Sequence, residues 1–126
     1  MTIVLDAGAL IAIERGDRKL LAIVNRERLA GRLPLTHGGV IGQVWRGGNG
    51  RQAALARILP GVEVSALDDD LGRQAGVLLG RAGQADVIDA AVVLLARDGD
   101  EVYTSDPDDL RDLAVAARRR VDLIPV

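Results

Sequence analysis

The residue pattern predicts a three-layer α/β/α sandwich, with a central parallel sheet of about five strands covered by helices on both faces. Two observations carry that class. Short apolar runs of strand length alternate along the chain with stretches whose apolar residues recur at helical spacing. Successive strand candidates are separated by helical segments, which parallel strands need as crossovers. No linker, repeat or low-complexity segment interrupts the 126 residues, 48% of them hydrophobic, so the chain reads as a single domain over residues 1–126.

The elements follow in order. Residues 2–5 form an apolar run closed by Asp6, and residues 7–16 continue at helical spacing to a break at Gly16-Asp17. Residues 18–30 read as a second amphipathic helix ended by Gly31, and 34–37 as a second strand. Residues 40–46 are helical in pattern, 47–50 are a glycine-rich loop, and 51–59 are a helix stopped by Pro60-Gly61. Residues 62–67 alternate as a third strand, and Asp68, Asp69 and Asp70 open a helix to about Arg81, where acids complement the helix dipole. Residues 86–97 are a strongly apolar helix, 98–100 a turn, Glu101–Thr104 a fourth strand, 106–119 a helix and 122–126 a fifth strand.

Composition narrows the chemistry. The chain has no cysteine and one histidine, His37, which excludes a disulfide framework, a thiolate nucleophile, a thiolate-held metal and a multi-histidine site. Any metal would be held by oxygen, favouring magnesium or manganese. The longest apolar stretches are broken by Asp6 and by Asp86 and Asp89, short of the ~18 uninterrupted apolar residues of a membrane span. The opening residues carry no basic run of a signal peptide, so the expectation is a cytoplasmic protein. The formal charge of −2 divides unevenly: acids crowd residues 64–126, where most candidate ligands fall. Trp45 and Tyr103 are the only aromatics, too few for base stacking, so any nucleic acid would be held through phosphate and shape.

In an open parallel sheet, ligands sit at the carboxyl ends of strands where strand order reverses. Asp6 follows the first strand, Asp106 follows the fourth, and Asp86 starts the apolar helix before it. Helix capping accounts for Asp86, with Asp89 three residues on, and for Asp106, with Pro107 at the first helical position. Asp6 has no obvious cap partner in Ala7-Gly8-Ala9, and an unpaired buried carboxylate costs several kcal/mol, so a cation is expected there. A divalent ion would offset the repulsion among converging carboxylates and activate water for attack at phosphorus, making phosphodiester hydrolysis the natural chemistry. Position 8 is glycine, not the second acid of a haloacid-dehalogenase-type phosphatase, and Lys19 is the only lysine, against a receiver domain. Neither G-x-G-x-x-G after a strand nor G-K-[ST] occurs.

The ordered set I-V-L-D-A-G-A-L at 3–10, V-I-G-Q-V-W-R-G at 40–47, D-V-I-D-A-A-V-V-L-L-A at 86–96 and V-Y-T-S-D-P-D-D-L at 102–110 resembles the PIN-domain ribonucleases, specifically the VapC-type toxins of type II toxin–antitoxin pairs, over essentially the whole chain. The resemblance implies a PIN-like sheet, a homodimer, a VapB-like antitoxin partner, and Mg²⁺- or Mn²⁺-dependent cleavage of RNA. By position, Asp6, Asp86 and Asp106 match the family's acidic ligands, with Asp109 and Asp89 as secondary candidates. The family's remaining acid, a glutamate on the helix after strand two, is here Gln43. An amide donates a carbonyl oxygen but brings no charge and takes no proton, so the alternatives are a weakened nuclease and a catalytically silent PIN-like protein that binds an antitoxin or RNA.

Smaller expectations accompany these. Arg46 is placed for a phosphate or a surface ion pair, and Arg118, Arg119 and Arg120 close the last helix. Trp45 is expected in the core or a dimer interface, and His37 as a polar strand end. Leu10, Ile11, Ile13, Leu20, Leu21 and Val24 are expected mostly in the core, some lining a groove for an antitoxin helix.

Overall fold

In the computed structural model, which describes residues 1–48 and 50–126, five short strands form one all-parallel sheet. They are β1 (Ile3–Leu5), β2 (Leu35–His37), β3 (Glu63–Ser65), β4 (Glu101–Thr104) and β5 (Asp122–Pro125), in spatial order β3-β2-β1-β4-β5. The helices are α1 (Ala7–Glu14), α2 (Arg18–Leu29), α3 (Gly38–Val44), α4 (Ala53–Ile58), α5 (Asp69–Ala82), α6 (Val87–Leu95) and α7 (Pro107–Ala116). Right-handed crossovers place α1 to α4 on one face and α5 to α7 on the other, and helices pack only within these two sets in the principal contacts.

The chain leaves β1 toward β2 on one side and enters β4 on the other, so the strand order reverses between β1 and β4. Leu5 pairs with Tyr103 across that gap, and the Asp6 N–H donates to the Tyr103 carbonyl at 3.2 Å. Asp6 and the residues after Thr104 are thereby locked side by side at the carboxyl edge. Ile3, Val4 and Leu5 are wholly buried with Val102, and Leu10, Ile13, Ala90, Val92, Val93, Leu110 and Leu113 close over both faces of the sheet. Every expected element is present, most with shorter bounds, while the helix expected over 40–46 starts earlier, at Gly38. β3 ends at Ser65 because its ladder partner β2 offers only Leu35, Thr36 and His37. The helix expected over 51–59 is confined to α4, followed by a 3-10 turn at Leu59–Gly61. Gly83 ends α5 in the left-handed conformation, φ 66°, which a side chain would strain. The glycine-rich loop reading covers Asn49, which lies outside the described residues.

Two expectations are corrected. Trp45 is 39% exposed, which removes the core half of its expectation and leaves the interface half untouched. α7 stops at Ala116, short of the three arginines, and Arg119 instead turns its guanidinium onto the Leu94 and Ala96 carbonyls at the end of α6. The cation does complement a helix C-terminus, but a neighbour's.

Candidate active site

Each acid reaches the carboxyl edge for a local reason. Asp6 is the N-cap of α1: its Oδ1 accepts from the Ala9 N–H at 3.0 Å, so the expectation that it lacked a cap partner is overturned. Asp86 caps α6, accepting from the Asp89 N–H at 3.1 Å, and the helical spacing puts the Asp89 carboxylate on the same side. Asp106 stands at the N-cap position of α7, yet its carboxylate makes no capping bond. The turn is held by its N–H donating to the Thr104 hydroxyl at 2.9 Å, which leaves the Asp106 side chain unspent.

These groups line one cavity of about 410 Å³, with Asp6, Asp86, Asp89, Asp106 and Gln43 on its walls and Arg46 the only basic side chain among them. Asp109 is not part of the lining, although its charge is felt at Asp89. A larger cavity, about 640 Å³, opens near the opposite ends of the strands beside Arg32, Asp100 and Arg119. Several of its polar groups are committed internally: Asp100 accepts from the Thr2 and Arg97 N–H groups, Arg32 pairs with Glu27, and Arg119 caps α6. The smaller cavity gathers four carboxylates against two in the larger, and is the candidate site.

Its electrostatics are those of crowded anions. Burial pushes the Asp89 carboxyl up to about 6, and the charges of Asp86, Asp6, Asp106 and Asp109 add to the shift. Asp6 is raised by burial, opposed by hydrogen bonds from Thr104 and from the Ala9, Gly8 and Ser105 backbone. An oxygen-only donor set with this unrelieved repulsion fits a hard divalent cation in charge and chemistry. Arrangement is a separate matter: among the described residues, no three His, Cys, Asp or Glu side chains stand so that they could hold a metal ion as placed.

Two contributors were missed by the sequence reading, one of them despite a local signal. His37 is fully buried and more than a strand-end polar group: Nδ1 accepts from the Gly39 N–H at 3.0 Å, capping α3, while Nε2 donates to the Ile88 carbonyl at 3.0 Å. It latches the helix bearing Gln43 to the helix bearing Asp89, and burial holds its pKa below the ordinary value. Thr104 binds Asp106 from a buried strand end; a hydroxyl two residues before an acid at a helix start is the short-range sign of such a turn. Gly8 completes the junction, since a Cβ there would lie 2.4 Å from the Ser105 Oγ and 2.9 Å from its backbone N.

An α/β/α sandwich with an acid-lined cavity at its strand-order reversal is thus the class that fold and site define. No family model and no curated protein matches the sequence. Nine chains of solved structures match its fold. One of these belongs to the crystal structure of VapBC2 from Rickettsia felis bound to a DNA fragment from their promoter; it is 14% identical, with a TM-score of 0.68 and 98% of each chain covered. At that identity the likeness is one of fold, and the fold is PIN-like.

Proposed function

We propose that the protein is a VapC-like, Mg²⁺- or Mn²⁺-dependent endoribonuclease toxin held in check by a VapB-like antitoxin. The observation that carries this reading is the convergence of Asp6, Asp86, Asp89 and Asp106 on one cavity at the strand-order reversal of a PIN-like fold. Asp6, Asp86 and Asp106 are the residues that would hold the cation, whose presence would neutralise phosphate charge and lower the pKa of an attacking water. The α1 cap fixes the Asp6 carboxylate, and Thr104 fixes the backbone from which the Asp106 side chain projects, before substrate arrives. Arg46 offers a guanidinium to a phosphate oxygen in the same cavity, while the Gln43 amide orients a water or phosphate without taking its proton.

Gln43 and the absence, among the described residues, of a ready-made cluster of three ligands favour a second reading: a catalytically silent protein that acts by binding an antitoxin or RNA. Calorimetric titration with Mn²⁺ and cleavage of structured RNA, with and without EDTA, separate the two. The nuclease reading expects cleavage that EDTA abolishes and that Asp6→Asn and Asp106→Asn each reduce by 10²-fold or more, about 3 kcal/mol of barrier. Gln43→Glu is expected to tighten Mn²⁺ binding and raise cleavage. Cleavage that persists in EDTA and in both Asn variants would sink the mechanism. Homodimerisation is tested by solution mass, which should be twice the chain's 13.3 kDa. A VapB-like antitoxin should bind the purified protein and suppress cleavage.

A further inference from the structure

The acid-lined cavity is not closed on the side of α3. Ile11, Gln43 and Arg46 also line a second cavity of about 420 Å³, whose far wall carries Arg15 and Arg51. Sharing these three residues, the two cavities adjoin and together form a trough: four carboxylates line the first, and Arg15, Arg46 and Arg51 line the second. Glu14 is the only acid in that second part. Among the described residues, none of the three arginines pairs with a carboxylate, whereas Arg26, Arg32, Arg73 and Arg111 all do. The wall is also built to stay in place. Gln52, 6% exposed, donates to the Val44 carbonyl at 2.7 Å and accepts from the Arg46 N–H at 3.0 Å, tying the backbone at Val44 and Arg46 to the residue beside Arg51. Arg46 further turns its guanidinium onto the Gly42 and Trp45 carbonyls at 3.1 and 2.9 Å, leaving its other donors free.

We infer that Arg15, Arg46 and Arg51 form a phosphate track that seats the backbone of single-stranded RNA and leads it into the acidic cavity. This inference rests on the nuclease reading and adds how the substrate is held. An anionic chain approaching four carboxylates is repelled, so its grip must come from beside them, and three unpaired guanidinium groups in line supply it. No aromatic side chain lines the trough, so recognition runs through phosphate and not through base stacking.

Binding is measured by fluorescence anisotropy on the full chain in EDTA, which keeps the readout independent of cleavage. The probes are a labelled unstructured RNA, a duplex DNA and an acidic polyglutamate peptide. A variant carrying Arg15→Gln, Arg46→Gln and Arg51→Gln is compared with one carrying Arg18→Gln, Arg57→Gln and Arg81→Gln, which has the same net charge outside the trough. Each phosphate contact on a single strand contributes about 0.7 to the slope of log K against log salt, so the trough variant should lose about 2 from that slope. Between 50 and 200 mM salt the wild-type protein should then lose roughly 16-fold more RNA affinity than the trough variant does. The control variant should match the wild type, and both variants should keep cooperative urea unfolding and the wild-type Mn²⁺ affinity. Equal losses in the two variants, or none in the trough variant, would overturn the track while leaving the nuclease reading standing. Trough-dependent capture of the peptide or the duplex in preference to RNA would overturn it as well. No RNA binding by the wild-type protein, with cleavage also absent, would remove both.

Discussion

Replacing Asp89 with Asn is expected to stabilise the fold at neutral and alkaline pH. Asp89 is half-buried, and burial together with Asp86, Asp6, Asp106 and Asp109 raises its carboxyl to about 6 from an ordinary 3.8. A gap of about two pKa units corresponds to ~3 kcal/mol, which solvent screening of this partly exposed group cuts to about 1–2 kcal/mol. Because the folded-state pKa is raised, the folded protein holds this proton more tightly than the unfolded chain. The cost of ionising it is therefore complete above about pH 6, fades toward pH 3.8 and is absent below. Asn is nearly isosteric and neutral, and keeps the backbone N–H that donates to Asp86. Urea unfolding of the wild type and of Asp89→Asn in EDTA should show the variant about 1–2 kcal/mol more stable at pH 8, with the gap closing by pH 3.5 and m-values unchanged. Saturating Mn²⁺ should narrow the gap at pH 8, since a bound cation relieves the same repulsion in the wild type. A variant no more stable than the wild type at pH 8 would refute the crowding itself, and with it the reason for a cation.

Four further outcomes follow from the packing. His37→Ala should cost about 3 kcal/mol in urea unfolding, because it strands the Gly39 N–H and the Ile88 carbonyl and opens a void. The wild type should also lose stability below pH 6.5 with a slope of up to about 1.4 kcal/mol per unit from His37, since the unfolded chain takes this proton first; the slope missing from His37→Asn measures that share. Gly8→Ala should destabilise by about 1–3 kcal/mol and lower Mn²⁺ affinity, because the new methyl forces the Asp6 and Ser105 segments apart. Arg32→Ala should cost about 3 kcal/mol at pH 7, leaving Glu27, 1% exposed with its Oε1 already lacking a hydrogen bond, without the guanidinium 2.5 Å from its Oε2. A loss below 1 kcal/mol would mean that water, or Arg26 at 3.5 Å from Oε1, takes over the charge.

The alternation of apolar runs and helical stretches was enough to read every strand and helix in order, because each is announced within a few residues. Strand ends were less legible, since they depend on a partner: residues 66 and 67 look like strand, but β2 has nothing left to pair with them. The acids were legible as types at strand ends and helix starts, whereas their bonds were not. Asp6 was misread because its neighbours' side chains were considered, when the cap needs only the backbone N–H of Ala9. Asp106 was misread the other way: it holds a cap position without capping, because Thr104 holds the turn. His37 was opaque for a plainer reason, its second partner being Ile88, 51 positions away.

The double duty of Asp6 bears on how the gene can decay. A lineage that abandoned catalysis would still need an oxygen-bearing side chain there to begin α1, so persistence of that residue says little about whether the enzyme works. Asp106 owes nothing to its helix, and drift would erase it first. On the proposed mechanism, Asp106 and not Asp6 is the letter whose loss would mark a descendant that no longer cuts RNA.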